Sequence, residues 1–129
     1  MWEYLKIYGV ALIIFFAIDM LWLGVIAKNL YDRFIGELLG DVKWLPAIIF
    51  YLLFIVGLTF FVIEPALAKE SLTYALFAGM FFGFITYATY DLTNLATLEG
   101  WSIEITIIDL IWGSVLGGSV SLFTYLILG

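Results

Sequence analysis

Residues 86–101 read TYATYDLTNLATLEGW. Up to Leu98 they continue an apolar run that begins at Leu72, yet they carry one aspartate, one asparagine, two tyrosines and four threonines. At about 1.5 Å per residue, Leu72–Leu98 is long enough to cross a hydrocarbon core about 30 Å thick as a helix. Polar groups at that depth need protein partners, which other helices must supply. The stretch therefore marks both the fold, a membrane bundle, and the place where a functional layer is expected.

Composition agrees. Of 129 residues, 65% are hydrophobic and only 12% charged, and the mean hydropathy of +1.15 lies far from that of soluble domains. The chain has no cysteine and no histidine. Disulfides, thiolate metal sites and cysteine nucleophiles are thereby excluded, and the commonest ligand for haem, zinc and copper is missing. No cofactor is expected. The formal charge of -6 overstates the acidity of the surface, because Asp19, Asp91 and Asp109 sit in apolar runs where they can hold a proton. No basic nucleic-acid face is present.

Three further spans follow from length and apolarity. Residues 4–27 form the first, interrupted by Lys6 and Asp19; a cleaved signal peptide is disfavoured there by Glu3 and by an acid within the apolar core. Residues 45–63 form the second, opened by Trp44 and Pro46 and closed by Glu64 and Pro65; it holds no charge, and a structural role is expected. Residues 103–128 form the fourth, joined to 72–98 by a turn short enough to make those two helices antiparallel neighbours. The connection KNLYDRFIGELLGDVK, residues 28–43, places Leu30, Phe34, Ile35, Leu38 and Leu39 at helical spacing. It is either a short interfacial amphipathic helix or an ordinary loop. Aromatic residues near span ends (Trp2, Tyr4, Trp44, Tyr74, Trp101 and Tyr125) fit an interfacial belt. The expected architecture is an all-α four-helix membrane bundle forming one domain over 1–129.

Depth ties the acids together. The ends near Lys28, Glu99 and Ser102 lie on one membrane side, and Asp19, Asp91 and Asp109 stand nine, eight and seven residues from them. At about 1.5 Å per residue all three lie roughly 10–14 Å below that face. Facing lipid would cost about 2.5–3.5 kcal/mol apiece, so they are expected to point inward. In the third span Tyr87, Asp91, Asn94 and Leu98 share one helical row and Thr86, Tyr90, Thr93 and Thr97 the adjoining one, predicting a wide polar face. In the fourth, Asp109, Gly113, Gly117, Ser121 and Thr124 share a row whose small residues permit close approach of a neighbouring helix, or of a second copy through Gly113, Gly117 and Ser121.

An internal echo links IDMLW (residues 18–22), IDLIW (residues 108–112) and, more loosely, YDLTN (residues 90–94). The first two copies are inverted across the membrane, an arrangement found in transporter folds. Trp22 and Trp112 lie deeper than a belt requires, and their indole N–H groups need acceptors, for which the carboxylates one turn back are candidates.

These residues carry a resemblance. The early D-x-L-W-L-G (Asp19 to Gly24), the run YATYDLTNLATLEGW (Tyr87 to Trp101) and D-L-x-W-G (Asp109 to Gly113) resemble a bacterial family of small predicted membrane proteins, domain of unknown function 2177, over nearly the whole chain. The resemblance implies a four-span membrane protein and assigns no activity, substrate or cofactor. Asp19, Trp22, Asp91, Asn94, Asp109 and Trp112 match its motif positions.

The expected ligand-binding set is Asp19, Trp22, Tyr87, Tyr90, Asp91, Asn94, Asp109 and Trp112. The conservative reading makes each aspartate a protonated carboxyl that glues helices together, with the threonines bonded to their own preceding carbonyls. Against it stands a site that binds or translocates a proton, cation or small polar ligand. Two alternatives remain: a membrane enzyme acting on a lipid or isoprenoid with carboxylates as acid and base, helped by a carboxylate-bound Mg²⁺, and an accessory subunit whose polar layer sets helix register. Catalysis is left open, and no protein partner is specified. The lipid bilayer is the expected environment, in the inner membrane of a bacterium. Lys28, Arg33 and Lys43 face Lys6, Lys69 and the N-terminal amine in a near tie, from which the first loop is taken as cytoplasmic.

Overall fold

The structure is a computed structural model describing residues 2–26, 28–36 and 43–129. It comprises α1 (Trp2–Leu21), running on through a π-turn at Trp22–Ile26, and α2 (Lys28–Ile35). Next come α3 (Trp44–Leu58), a second π-turn at Thr59–Ile63, and α4 (Glu64–Ala68), followed by α5 (Leu72–Thr97) and α6 (Ile103–Leu128). Four stretches, Trp2–Val25, Trp44–Ala68, Leu72–Thr97 and Ile103–Leu128, are long and apolar enough to cross a membrane. Among the described residues there is no strand.

Caps mark two of these helices. Ser71 and Ser102 accept backbone N–H bonds from Tyr74 and Ile105 at 3.0 and 3.1 Å, each satisfying one orphan donor of a first turn. Gly100 turns the chain between α5 and α6 with a φ of +84°, open to glycine without strain. The connection after α3 and α4 closes differently. Ser71 N–H reaches the Ala66 carbonyl and Glu70 N–H the Leu67 carbonyl, a Schellman pattern with Glu70 at φ +53° where glycine is usual.

The second span runs further than its sequence suggested. Glu64 and Pro65 were expected to close it, yet the helix carries on to Ala68. The π-turn explains the continuation: Glu64 N–H bonds the Thr59 carbonyl five residues back, widening the turn just before a proline that has no N–H to give. Proline leaves the carbonyl four residues earlier, that of Phe61, without its helical donor. The Tyr74 hydroxyl donates to it at 3.1 Å.

Two kinds of packing hold the bundle. Between α5 and α6 the backbones themselves meet, at Gly79 and Gly83 on one helix and Gly113 and Gly117 on the other. A Cβ at Gly79 would lie 2.6 Å from the Gly117 carbonyl oxygen, and one at Gly113 would lie 2.7 Å from that of Gly83. Both helices thus bring a small-xxx-small pair to one seam. The row Gly113, Gly117 and Ser121, read as permitting close approach of a neighbouring helix or of a second copy, is buried against α5 of the same chain. On the other flank of α6, side chains interlock: Ile7, Ala11 and Phe15 of α1, Phe54, Ile55 and Leu58 of α3, and Trp112, Leu116 and Val120 of α6 form the core. Phe15 lies 5.2 Å from the Tyr51 ring and 5.7 Å from that of Phe54, aromatic contacts worth about 0.5–1.5 kcal/mol each beyond area burial.

The connection after the first span is helical over Lys28–Ile35, with an apolar face bearing Tyr31, Phe34 and Ile35. Ile35 is buried. The helix therefore packs onto the bundle rather than only floating at the interface. Leu38 and Leu39, also assigned to its apolar face, lie outside the described residues.

Candidate functional site

The buried stripe of α1 is Ile7, Ala11, Phe15, Asp19, each one turn after the last. The apolar packing that buries Phe15 thus carries an acid into the core at the next turn. Asp19 is 3% exposed, Asp109 of α6 is 4% and Asp91 of α5 is 0%. All three acids point away from the lipid.

They fall into two groups. Asp91 and Asp109 lie side against side, within hydrogen-bonding reach of each other. Among the described residues, however, neither Asp91 oxygen has a donor, because a carboxylate can only accept. The pair is joined only if a proton or cation lies between its members. Asp109 has a protein donor: the Tyr31 hydroxyl, reaching from α2, stands 2.5 Å from its Oδ1, and the same hydroxyl accepts from Trp22 Nε1 at 3.3 Å. Burial first, and the Asp109 carboxylate next, push the Tyr31 phenol far above its usual range. Tyr31 therefore stays protonated and donates.

Asp19 sits apart from that pair. It lies within reach of the Tyr51 hydroxyl of α3 and of the Trp112 indole, while its Oδ2 has no donor among the described residues. Between the two groups Trp22 and Trp112 stack at 4.4 Å with their planes 8° apart.

The tryptophans were expected to bond the carboxylate one turn back on their own helices. The pairing is crossed instead. Trp22, on the helix of Asp19, serves Asp109 through Tyr31, and Trp112, on the helix of Asp109, faces Asp19.

The remaining expected site residues divide. Tyr87 crosses the seam beside Gly113, where an added Cβ would meet its ring at 2.7 Å, and stands edge-on to Phe50 and Phe54. Tyr90 is 58% exposed, with its ring edge-on to Trp101. Asn94 is half-buried, within reach of the Tyr90 hydroxyl rather than of an acid. The wide polar face expected of α5 is accordingly narrower. Thr86, Thr89, Thr93 and Thr97 each bond the carbonyl four residues back, so their hydroxyls are satisfied by their own helix.

Two tyrosines were missed from sequence. Tyr31 shares the apolar face of α2 with Phe34 and Ile35, and its hydroxyl on such a face signals a buried acceptor. Tyr51 lies in the charge-free second span, to which only a structural role was given; α3 in fact brings a hydroxyl to Asp19.

Among the described residues no three carboxylate, imidazole or thiol groups converge to hold a metal ion. The clefts are elsewhere. Apolar grooves of about 350 Å³ each open to the lipid beside Phe61, Phe81 and Ile85 and beside Tyr8, Val56 and Phe60. Neither is lined by Asp19, Asp91 or Asp109.

A family model described as predicted membrane protein DUF2177 matches residues 4–126. No curated protein and no solved structure matches the chain.

Proposed function

Since the chain belongs to the DUF2177 family of predicted membrane proteins, whose name carries no activity, we propose its function from the geometry: it binds, and passes across the membrane, a proton or small monovalent cation held between Asp91 and Asp109. The observation that carries this reading is the Asp91 carboxyl, wholly buried against a second carboxyl and, among the described residues, with no donor of its own. Two ionised carboxylates in contact repel, so one of them keeps a proton or both share a cation. A helix-gluing layer would be dry and satisfied. Here the Asp91 carboxyl oxygens are buried and have no donor among the described residues, which favours a site over glue.

The enzyme reading gains less. The lipid-facing grooves lined by Phe61 and by Tyr8 bring no acid to a lipid chain.

The α2 helix brings Tyr31 onto Asp109 on the side of the Glu99–Ser102 turn, the face taken as cytoplasmic. A helical rather than barrel architecture suits the inner membrane of a bacterium. The test is infrared difference spectroscopy of the purified protein in lipid. At neutral pH a carboxylic-acid stretch is expected that shrinks on adding Na⁺ or on raising pH and disappears in Asp91→Asn. If the wild type shows no such band and no response to pH or Na⁺, the reading fails.

A further inference from the structure

The second span and α5 meet along a groove of about 350 Å³ on the lipid-facing surface, lined by the exposed rings of Phe61 and Phe81, by Ile85 and by the small side chain of Ala78. Its ends are Tyr74, near the start of α5, and Thr86. Those twelve residues at about 1.5 Å each make it about 18 Å long. One leaflet contributes about 15 Å to a core about 30 Å thick, so the groove runs the depth of a single leaflet, the one away from the Glu99–Ser102 turn. Both of its hydroxyls are already engaged. Tyr74 donates to the Phe61 carbonyl at 3.1 Å and Thr86 to that of Phe82 at 2.7 Å. The groove therefore takes an apolar occupant. Spread along its length, 350 Å³ is a cross-section of about 20 Å². A helix about 10 Å across fills about 80 Å², so the space suits one hydrocarbon chain and not a partner helix.

Charge selects the headgroup. Lys69 Nζ stands 4.1 Å from the centroid of the Tyr74 ring, which holds the ammonium at the headgroup end of the groove. The acids of that face turn to the other flank: Glu70 lines a cleft with Glu3 and Lys6, and Glu64 one with Glu3 and Tyr4, both against α1. The bond from Tyr74 to the Phe61 carbonyl ties the start of α5 to the second span, so cation and groove keep their relative places. We propose that this groove binds one anionic phospholipid of its leaflet, with the phosphate on Lys69 and one acyl chain lying from Tyr74 down to Thr86. A zwitterionic headgroup would bring a second cation against Lys69, which disfavours it. Asp91 and Asp109 line no part of the groove, so the proposal is independent of what the acid pair carries.

The experiment places the full chain in nanodiscs of equal phosphatidylglycerol and phosphatidylcholine with matched acyl chains, and identifies the lipid retained on release by native mass spectrometry. The wild type should keep one phosphatidylglycerol. Lys69→Gln alters an exposed side chain just beyond the span and should cut that preference about fivefold, the effect of one basic residue at a membrane surface. Lys6→Gln, on the same face but in the cleft against α1, should leave it unchanged. Ala78→Phe puts a ring into the groove and should abolish retention of either lipid. A wild type that keeps neither lipid, or both equally, overturns the proposal. Equal losses in Lys6→Gln and Lys69→Gln overturn it too, since they report diffuse surface charge, as does phosphatidylglycerol retained by Ala78→Phe. If Ala78→Phe does not fold, the comparison of the two lysine variants decides.

Discussion

Replacing Tyr31 by phenylalanine removes one oxygen atom and, with it, the hydroxyl that donates to Asp109 Oδ1 and accepts from Trp22 Nε1. The ring can stay where it is, so lost packing is small and the change reads the hydroxyl. A hydrogen bond to a carboxylate contributes about 1.5–3 kcal/mol, and a buried acceptor left without its donor costs about 1–3 kcal/mol. Because Asp109 is 4% exposed, water offsets little of this, and a net loss of about 2 kcal/mol is expected. Tyr31 also joins α2 to both α1 and α6, so the loss should be local before it is global. Hydrogen–deuterium exchange by mass spectrometry should show amides of Lys28–Ile35 exchanging about thirtyfold faster, which is about 2 kcal/mol of local opening. The middle of α5 and α6 should change little. If α2 exchanges at the wild-type rate in Tyr31→Phe, the hydroxyl does not latch that helix, and the account of how the acid pair is covered is wrong.

Other outcomes follow from the same contacts. Gly83→Ala drives a methyl into the Gly113 backbone and should cost about 1–3 kcal/mol; Gly118→Ala meets the Met80 side chain, which can swing aside, and should cost less, the order being read by thermal unfolding in detergent. Tyr74→Phe orphans the Phe61 carbonyl above Pro65 and should lower stability by about 0.5–1.5 kcal/mol, measured the same way. Glu70→Gly should raise the unfolding midpoint, since it relieves a left-handed residue at a cost of about 1 kcal/mol. The Tyr31 phenol has a raised folded value, so its contribution is complete below the unfolded value of about 10 and is lost as pH climbs above it. The wild type should therefore destabilise between about pH 10 and 11 more steeply than Tyr31→Phe; parallel curves would show that the phenol is not shielded.

Much of this molecule is fixed by local chemistry and so is visible in the chain itself. Four apolar runs of sufficient length must become spanning helices, because lipid offers the backbone no other partners. Acids in three of those runs must turn inward, because lipid penalises each of them, and Asp19, Asp91 and Asp109 do so. The helical row Gly113, Gly117 and Ser121 announces a close approach without saying to what; that α5 answers it with Gly79 and Gly83 depends on which helices are neighbours. The same limit applies to the site. Spacing placed Trp22 one turn from Asp19, but the indole's acceptor is a tyrosine of α2, which reaches it only because α2 packs onto the bundle. Tyr90 and Asn94 share a segment with Asp91 yet turn toward Trp101 and toward each other, since rotation of α5 about its axis is set by the glycine seam and not by the polar residues. Sequence by itself determined the four apolar spans and the inward turn of their acids, both consequences of solvation; only the tertiary structure decided which carboxyl meets which partner, because that depends on how neighbouring helices rotate and pack.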